Sequence, residues 1–109
     1  MAVSNEFRDY VMERLEPIGD IKARAMFGGY GVLESGDMFT LMSESELFFK
    51  VDDSSRAGYE EYGSRRFGRT LYFNVPDQVI EDTTELERRA LTAIAVGHAT
   101  ARKKSGKKG

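Results

Sequence analysis

Apolar residues at Phe7, Tyr10, Val11, Leu15 and Ile18 recur at helical spacing, with Glu6, Asp9, Glu13 and Glu16 around the rest of the turn. The pattern predicts an amphipathic first helix, opened by Ser4 or Asn5 as N-cap and closed by Pro17 and Gly19. After Asp20 the pattern shortens into strand-length segments, KARAMF, YGVLE, DMFTLM and LFFKVD, divided by turn residues. Ser35-Gly36 suits a tight hairpin and Ser43 to Glu46 a second one, so three or four antiparallel strands follow in a meander.

Beyond them, Asp52-Asp53-Ser54-Ser55 offers N-caps for a short helix, RAGYEEYG, with Gly63 as its stop. TLYFNVP at 70–76 alternates again, with Leu71, Phe73 and Val75 on one side, Tyr72 and Asn74 on the other, and Pro76 at its end. Thr84 and Glu87 have capping-box spacing ahead of a long helix whose stripe is Leu86, Ala90, Ala93, Ile94, Gly97 and Ala101. The order predicts an α+β fold, helices on one face of a mostly antiparallel sheet.

The second sheet face carries large apolar groups as well. Leu47, Phe49 and Val51 share one side and leave Phe48 and Lys50 on the other, while Met38 and Met42 oppose Phe39 and Leu41. In so small a chain this predicts an apolar patch that meets a partner protein, and a homodimer is the simplest case.

Composition narrows the chemistry. The 109 residues suit one domain, read as residues 1–101 followed by a basic flexible tail at 102–109. No apolar run approaches the roughly 20 residues of a membrane span, and no leader pattern opens the chain, so a cytoplasmic protein without membrane contact is expected. Cysteine is absent. The net charge of −2 hides a split: five basic groups lie in the tail, and the other 11 face 18 acids, so residues 1–101 carry −7. Such a body predicts weak nucleic-acid binding at most.

Three glycines in FGGYG, residues 27 to 31, invite a phosphate-loop reading, yet a strand follows where a P-loop needs lysine, a hydroxyl residue and a helix. Gly28, Gly29, Gly31 and Gly36 are therefore read as structural turn positions, the first three presenting Tyr30. His98 has no second histidine or cysteine to complete a metal site and no evident nucleophile beside it, so its place near the helix C-terminus is explanation enough. Asp52-Asp53, Glu60-Glu61 and Glu81-Asp82 suit helix starts and solvated faces. No catalytic, metal or cofactor residue is expected. The candidate interaction residues are Tyr30, Phe48, Lys50 and Tyr72 on the sheet, with the cluster Tyr59, Arg65, Arg66, Phe67 and Arg69. Arginines mixed with aromatics form either the rim of a protein contact or, with the tail, a direct nucleic-acid surface.

RAMFGGYG, then GDMF at 36–39, LFFKVD at 47–52, Arg56 and Tyr59 before Gly63 and Phe67, and YFNVPDQVIED at 72–82 together resemble the TfoX N-terminal domain family over residues 7 to 97. The resemblance implies a two-layer α-β-α fold of the secretion-chaperone-like type and a non-enzymatic role in regulating competence, with no catalytic residues to carry over. Three features depart from the pattern: the residues given after the expected last helix are RKKSGKKG where the competence regulator has a second domain, Arg89 stands where relatives often carry tryptophan, and the 64–69 loop is short and arginine-rich.

Overall fold

The computed structural model describes residues 4–26 and 28–106. Helix α1 spans Asn5–Leu15, its first turn closed by the Ser4 hydroxyl, which accepts the Phe7 N–H at 3.1 Å. A 3₁₀ turn, Glu16–Ile18, then delivers the chain to a meander of strands: β1 Ile21–Met26, β2 Gly29–Glu34, β3 Asp37–Ser43 and β4 Glu46–Lys50. A one-turn helix α2 (Ala57–Glu60) precedes β5 (Tyr72–Asn74), and α3 (Asp77–Glu81) leads into α4 (Thr83–Gly106). The strands lie in sequence order, every neighbouring pair antiparallel. This is the α+β arrangement that the residue pattern predicts.

The turns follow from backbone chemistry. Ser35 and Gly36 both take positive φ, 51° and 90°, which matches the right-handed twist of the β2–β3 hairpin. Gly28 turns the chain between β1 and β2 at φ 76°, whereas Gly29 opens β2 and Gly31 lies inside it at ordinary strand φ. Gly31 is needed for space: a Cβ there would sit 2.6 Å from Met38 Sδ and 2.9 Å from Met26 Cε. Phe27, which the KARAMF segment includes, lies outside the described residues.

One core lies between sheet and helices. Val11 and Leu15 of α1, Val79 and Ile80 of α3, and Leu86, Ala90, Ala93 and Ile94 of α4 pack against Val32, Met42, Leu47, Phe49, Phe73 and Val75. Helix α4 lies tight against β3 at Gly97, where an added Cβ would meet the Met38 carbonyl oxygen at 2.6 Å. Gly97→Ala is therefore expected to lower stability by about 1–3 kcal/mol, the overpacking term exceeding alanine's helix advantage of about 1 kcal/mol. Urea denaturation checks it, and a gain in stability would contradict the close packing.

Four details differ from the sequence expectation. Val32 pairs with Thr40 but Leu33 with Met38, so Phe39 is the extra residue of a bulge. The bulge reverses the alternation: Phe39 joins Met42 in the helix-side core, while Met38 joins Leu41 on the opposite face. Second, the strand at 70–76 narrows to three residues and Leu71 is exposed. Third, α4 is opened by the Asp82 carboxylate, which accepts the Glu85 N–H at 3.2 Å, rather than by Thr84 with Glu87. Fourth, α4 runs on past Ala101 to Gly106, through residues expected as a flexible tail.

Candidate interaction surface

The largest correction concerns the second sheet face. Leu41, Phe48 and Tyr72 are only 6%, 0% and 5% exposed, so the expected apolar patch is internal to one chain. Residues 65–67 fold back along β5, with Asn74 N–H donating to the Arg65 carbonyl at 2.9 Å and Phe67 N–H to that of Tyr72 at 2.8 Å. This strap lays the Phe67 ring edge-on against Phe48, centroids 5.1 Å apart, and the Arg65 guanidinium over the same ring at 5.5 Å. Lys50 Nζ sits 5.0 Å above the Tyr72 ring, and Met26 and Met38 complete the cover. Burial pushes the Tyr72 hydroxyl up to about 12, so the ring stays neutral.

The structure thus brings Phe48, Lys50, Arg65, Phe67 and Tyr72 together and separates them from the other candidates. Tyr30 is half-buried against the helix-side core, its hydroxyl taking a 2.9 Å hydrogen bond from Arg8, so the glycine segment does not present it to solvent. Tyr59 is 4% exposed in that same core beside Phe73 and offers no stacking surface. Arg65 is engaged by the Glu46 carboxylate. Arg66, bridged to Phe73, and Arg69 are exposed and carry no ion pair or hydrogen-bond partner among the described residues.

Two cations absent from the candidate set emerge on this face. Lys22 opposes Leu33 and Arg24 opposes Gly31 in the β1–β2 ladder, and directly opposed residues share a face. Both are exposed, and neither has an ion-pair partner among the described residues. The signal was present in KARAM, where long basic residues alternate with alanine. Its meaning depends on the register with β2.

Two charged clusters tie α4 to the rest of the fold. Arg89, its side chain only 10% exposed, bonds the Glu85 carboxylate at 2.7 Å and stacks over Tyr59 and Tyr62 at 4.8 and 5.3 Å. Hydrogen bonds from Arg88 and Arg89 hold the Glu85 carboxyl down at about 2. At the other end His98 is clamped between two carboxylates, Nδ1 at 2.6 Å from Asp37 and Nε2 at 2.7 Å from Glu34. Glu34 also accepts the Asp20 N–H and the Ser35 hydroxyl. Only the imidazolium donates from both nitrogens at once.

The clamp has a pH signature. Bonds to Asp37 and Glu34 raise His98 above its ordinary 6.5, so its contribution is complete below that value and is lost as pH rises through the folded value. The bond from His98 lowers Glu34 below its ordinary 4.5, and that contribution is lost as pH falls through the folded value. The expected result is that His98→Ala costs more stability between pH 4.5 and 6.5 than at pH 9, measured by urea midpoints. A pH-independent cost would contradict the charged clamp.

Among the described residues, no three histidine, aspartate or glutamate side chains gather to hold a metal ion, and no helix is long and apolar enough to cross a membrane. The sequence model described as the TfoX N-terminal domain matches residues 13–96, from the last turn of α1 to Val96 of α4, just before Gly97 and His98. The chain belongs to the TfoX N-terminal domain family. Among curated proteins, DNA transformation protein TfoX1 of Aliivibrio fischeri is similar to this TfoX N-terminal domain, 26% identical over 83 residues. That alignment covers 75% of this chain and 40% of the relative, so the chain matches about two fifths of the relative's length.

Proposed function

We propose that the chain is a non-enzymatic regulatory module in competence, the cellular programme of DNA uptake, and that it works in the cytoplasm through contacts of its surface with another macromolecule. The observation that carries this reading is the family match over residues 13–96, which takes in the whole sheet, α2, α3 and α4 as far as Val96. The relative's name, a DNA transformation protein, supplies the pathway. The charged sheet face, with its apolar floor closed by the chain itself, supports action through contact.

The test is deletion of the gene in its host followed by complementation, with transformation frequency and transcripts of DNA-uptake genes as readouts. Loss of at least about tenfold on deletion, restored by the full chain, is the expected result. Unchanged frequency and unchanged transcripts would overturn the reading.

A further inference from the structure

We propose that the sheet face opposite the helices binds nucleic acid through its phosphates, with Lys22 and Arg24 of β1 as the principal contacts and Lys50 beside them. The proposal deepens the regulatory reading by giving the partner a chemical class. It rests on that reading only for the cellular role.

Charge segregation is the first support. Residues 1–101 carry −7 overall, yet the register places Lys22, Arg24 and Lys50 on one face, joined by Arg65 over the Phe48 ring, and among the described strand residues the register puts one acid there, Glu46. Glu46 is taken by Arg65. At the rim one imidazolium, His98, is shared by two carboxylates, Glu34 and Asp37, which leaves one net negative charge there beside exposed Asp20 ahead of β1. Lys22 and Arg24 therefore point their charge to solvent.

Shape is the second support. Arg24 and Lys50 line one hollow of about 240 Å³ with Leu33, Met38, Tyr72 and, at its edge, Asp37, whose carboxylate is bonded to His98. Two residues of α4, Arg102 and Lys103, are exposed and line a separate hollow with Asp52.

The third support separates nucleic acid from an acidic protein. A protein interface takes most of its energy from apolar anchors at its centre, and here the large apolar groups, Leu41, Phe48 and Tyr72, are already buried by the chain's own strap. Outside them stand the half-buried Met26, Met38 and Phe67 and the exposed cations Lys22 and Arg24. Phosphate backbones need cations and no apolar anchor. The surface thus moves from the 65–69 loop, where Arg65 is occupied and the alternation of the strap turns Arg66 to the helix side, to β1.

The experiment is fluorescence anisotropy of the full chain with a labelled oligonucleotide, single-stranded and duplex, at about 50 mM and about 200 mM salt. Lys22→Ala/Arg24→Ala is compared with Arg88→Ala on the helix side, and with a chain whose Arg102, Lys103, Lys104, Lys107 and Lys108 are all alanine. Both β1 residues are exposed, and a circular dichroism melt checks that the double variant folds. Expected are salt-sensitive binding, a loss of about tenfold or more in the double variant with a salt slope shallower by about two, and no change in Arg88→Ala. Absence of binding by the natural chain, an unaffected double variant, or binding abolished by the tail substitutions alone would each overturn the proposal. So would equal affinity for polyglutamate, which would point to an acidic protein. If nothing binds yet gene deletion abolishes transformation, this proposal fails and the regulatory reading stands; binding as expected with no effect of deletion is the converse.

Discussion

Replacing Phe48 with alanine is expected to cost about 3–5 kcal/mol, the range for deleting a buried phenylalanine ring. Phe48 is fully buried although it faces away from every helix. It supports the Phe67 ring from the strap and the Arg65 guanidinium, and it pairs with Leu41 across β3 and β4. Removing the ring undermines all three at once. A domain of this size has a total stability of about 5–15 kcal/mol, so Phe48→Ala should be poorly folded at 37 °C and Phe48→Leu much less affected. Urea denaturation of both variants measures this. A cost below about 1 kcal/mol for the alanine variant would mean that the second sheet face is open, contrary to the closed face described above.

The second large effect is expected at Arg89. Arg89→Ala should lose about 2–3 kcal/mol, combining a mostly desolvated cation–π stack with a partly buried ion pair, discounted because the Glu85 side chain is 28% exposed. Arg89→Lys keeps the charge and loses the plane that lies over Tyr59 and Tyr62, so it should recover less than half of the loss. Glu85 adds a pH dependence: its carboxyl is lowered to about 2 from 4.5, so its contribution is present above pH 4.5 and lost as pH falls toward 2. Arg89→Ala should flatten that part of the stability profile. Equal slopes in the two proteins would assign the shift to Arg88 alone.

What could be read from the sequence was local. A cap at Ser4 or Asn5, the Ser35-Gly36 hairpin, a meander of three or four strands and the core stripe of α4 all follow from neighbours a few residues apart, and the structure settles on Ser4 and on four strands. What could not be read depends on contacts between distant segments. The bulge at Phe39 is a property of the β2–β3 pairing, and it decides which methionine faces which layer. The strap at 65–67 lies against β5 only after a turn that no alternation announces, and it converts Phe48 and Tyr72 from a patch into a core. Helix α3 escaped because VPDQVIED reads as the end of a strand running into a helix start. The same dependence on register left Lys22 and Arg24 unremarked beside a more obvious arginine cluster.

The most direct measurement is complementation of a deletion strain by the natural chain and by Lys22→Glu/Arg24→Glu, with transformation frequency as readout and soluble protein matched between strains. The natural chain is expected to restore transformation, and the charge-reversed chain, folded and present at the same level, to leave it near the deletion value. Full restoration by the charge-reversed chain would contradict the claim that this domain acts through its cationic sheet face.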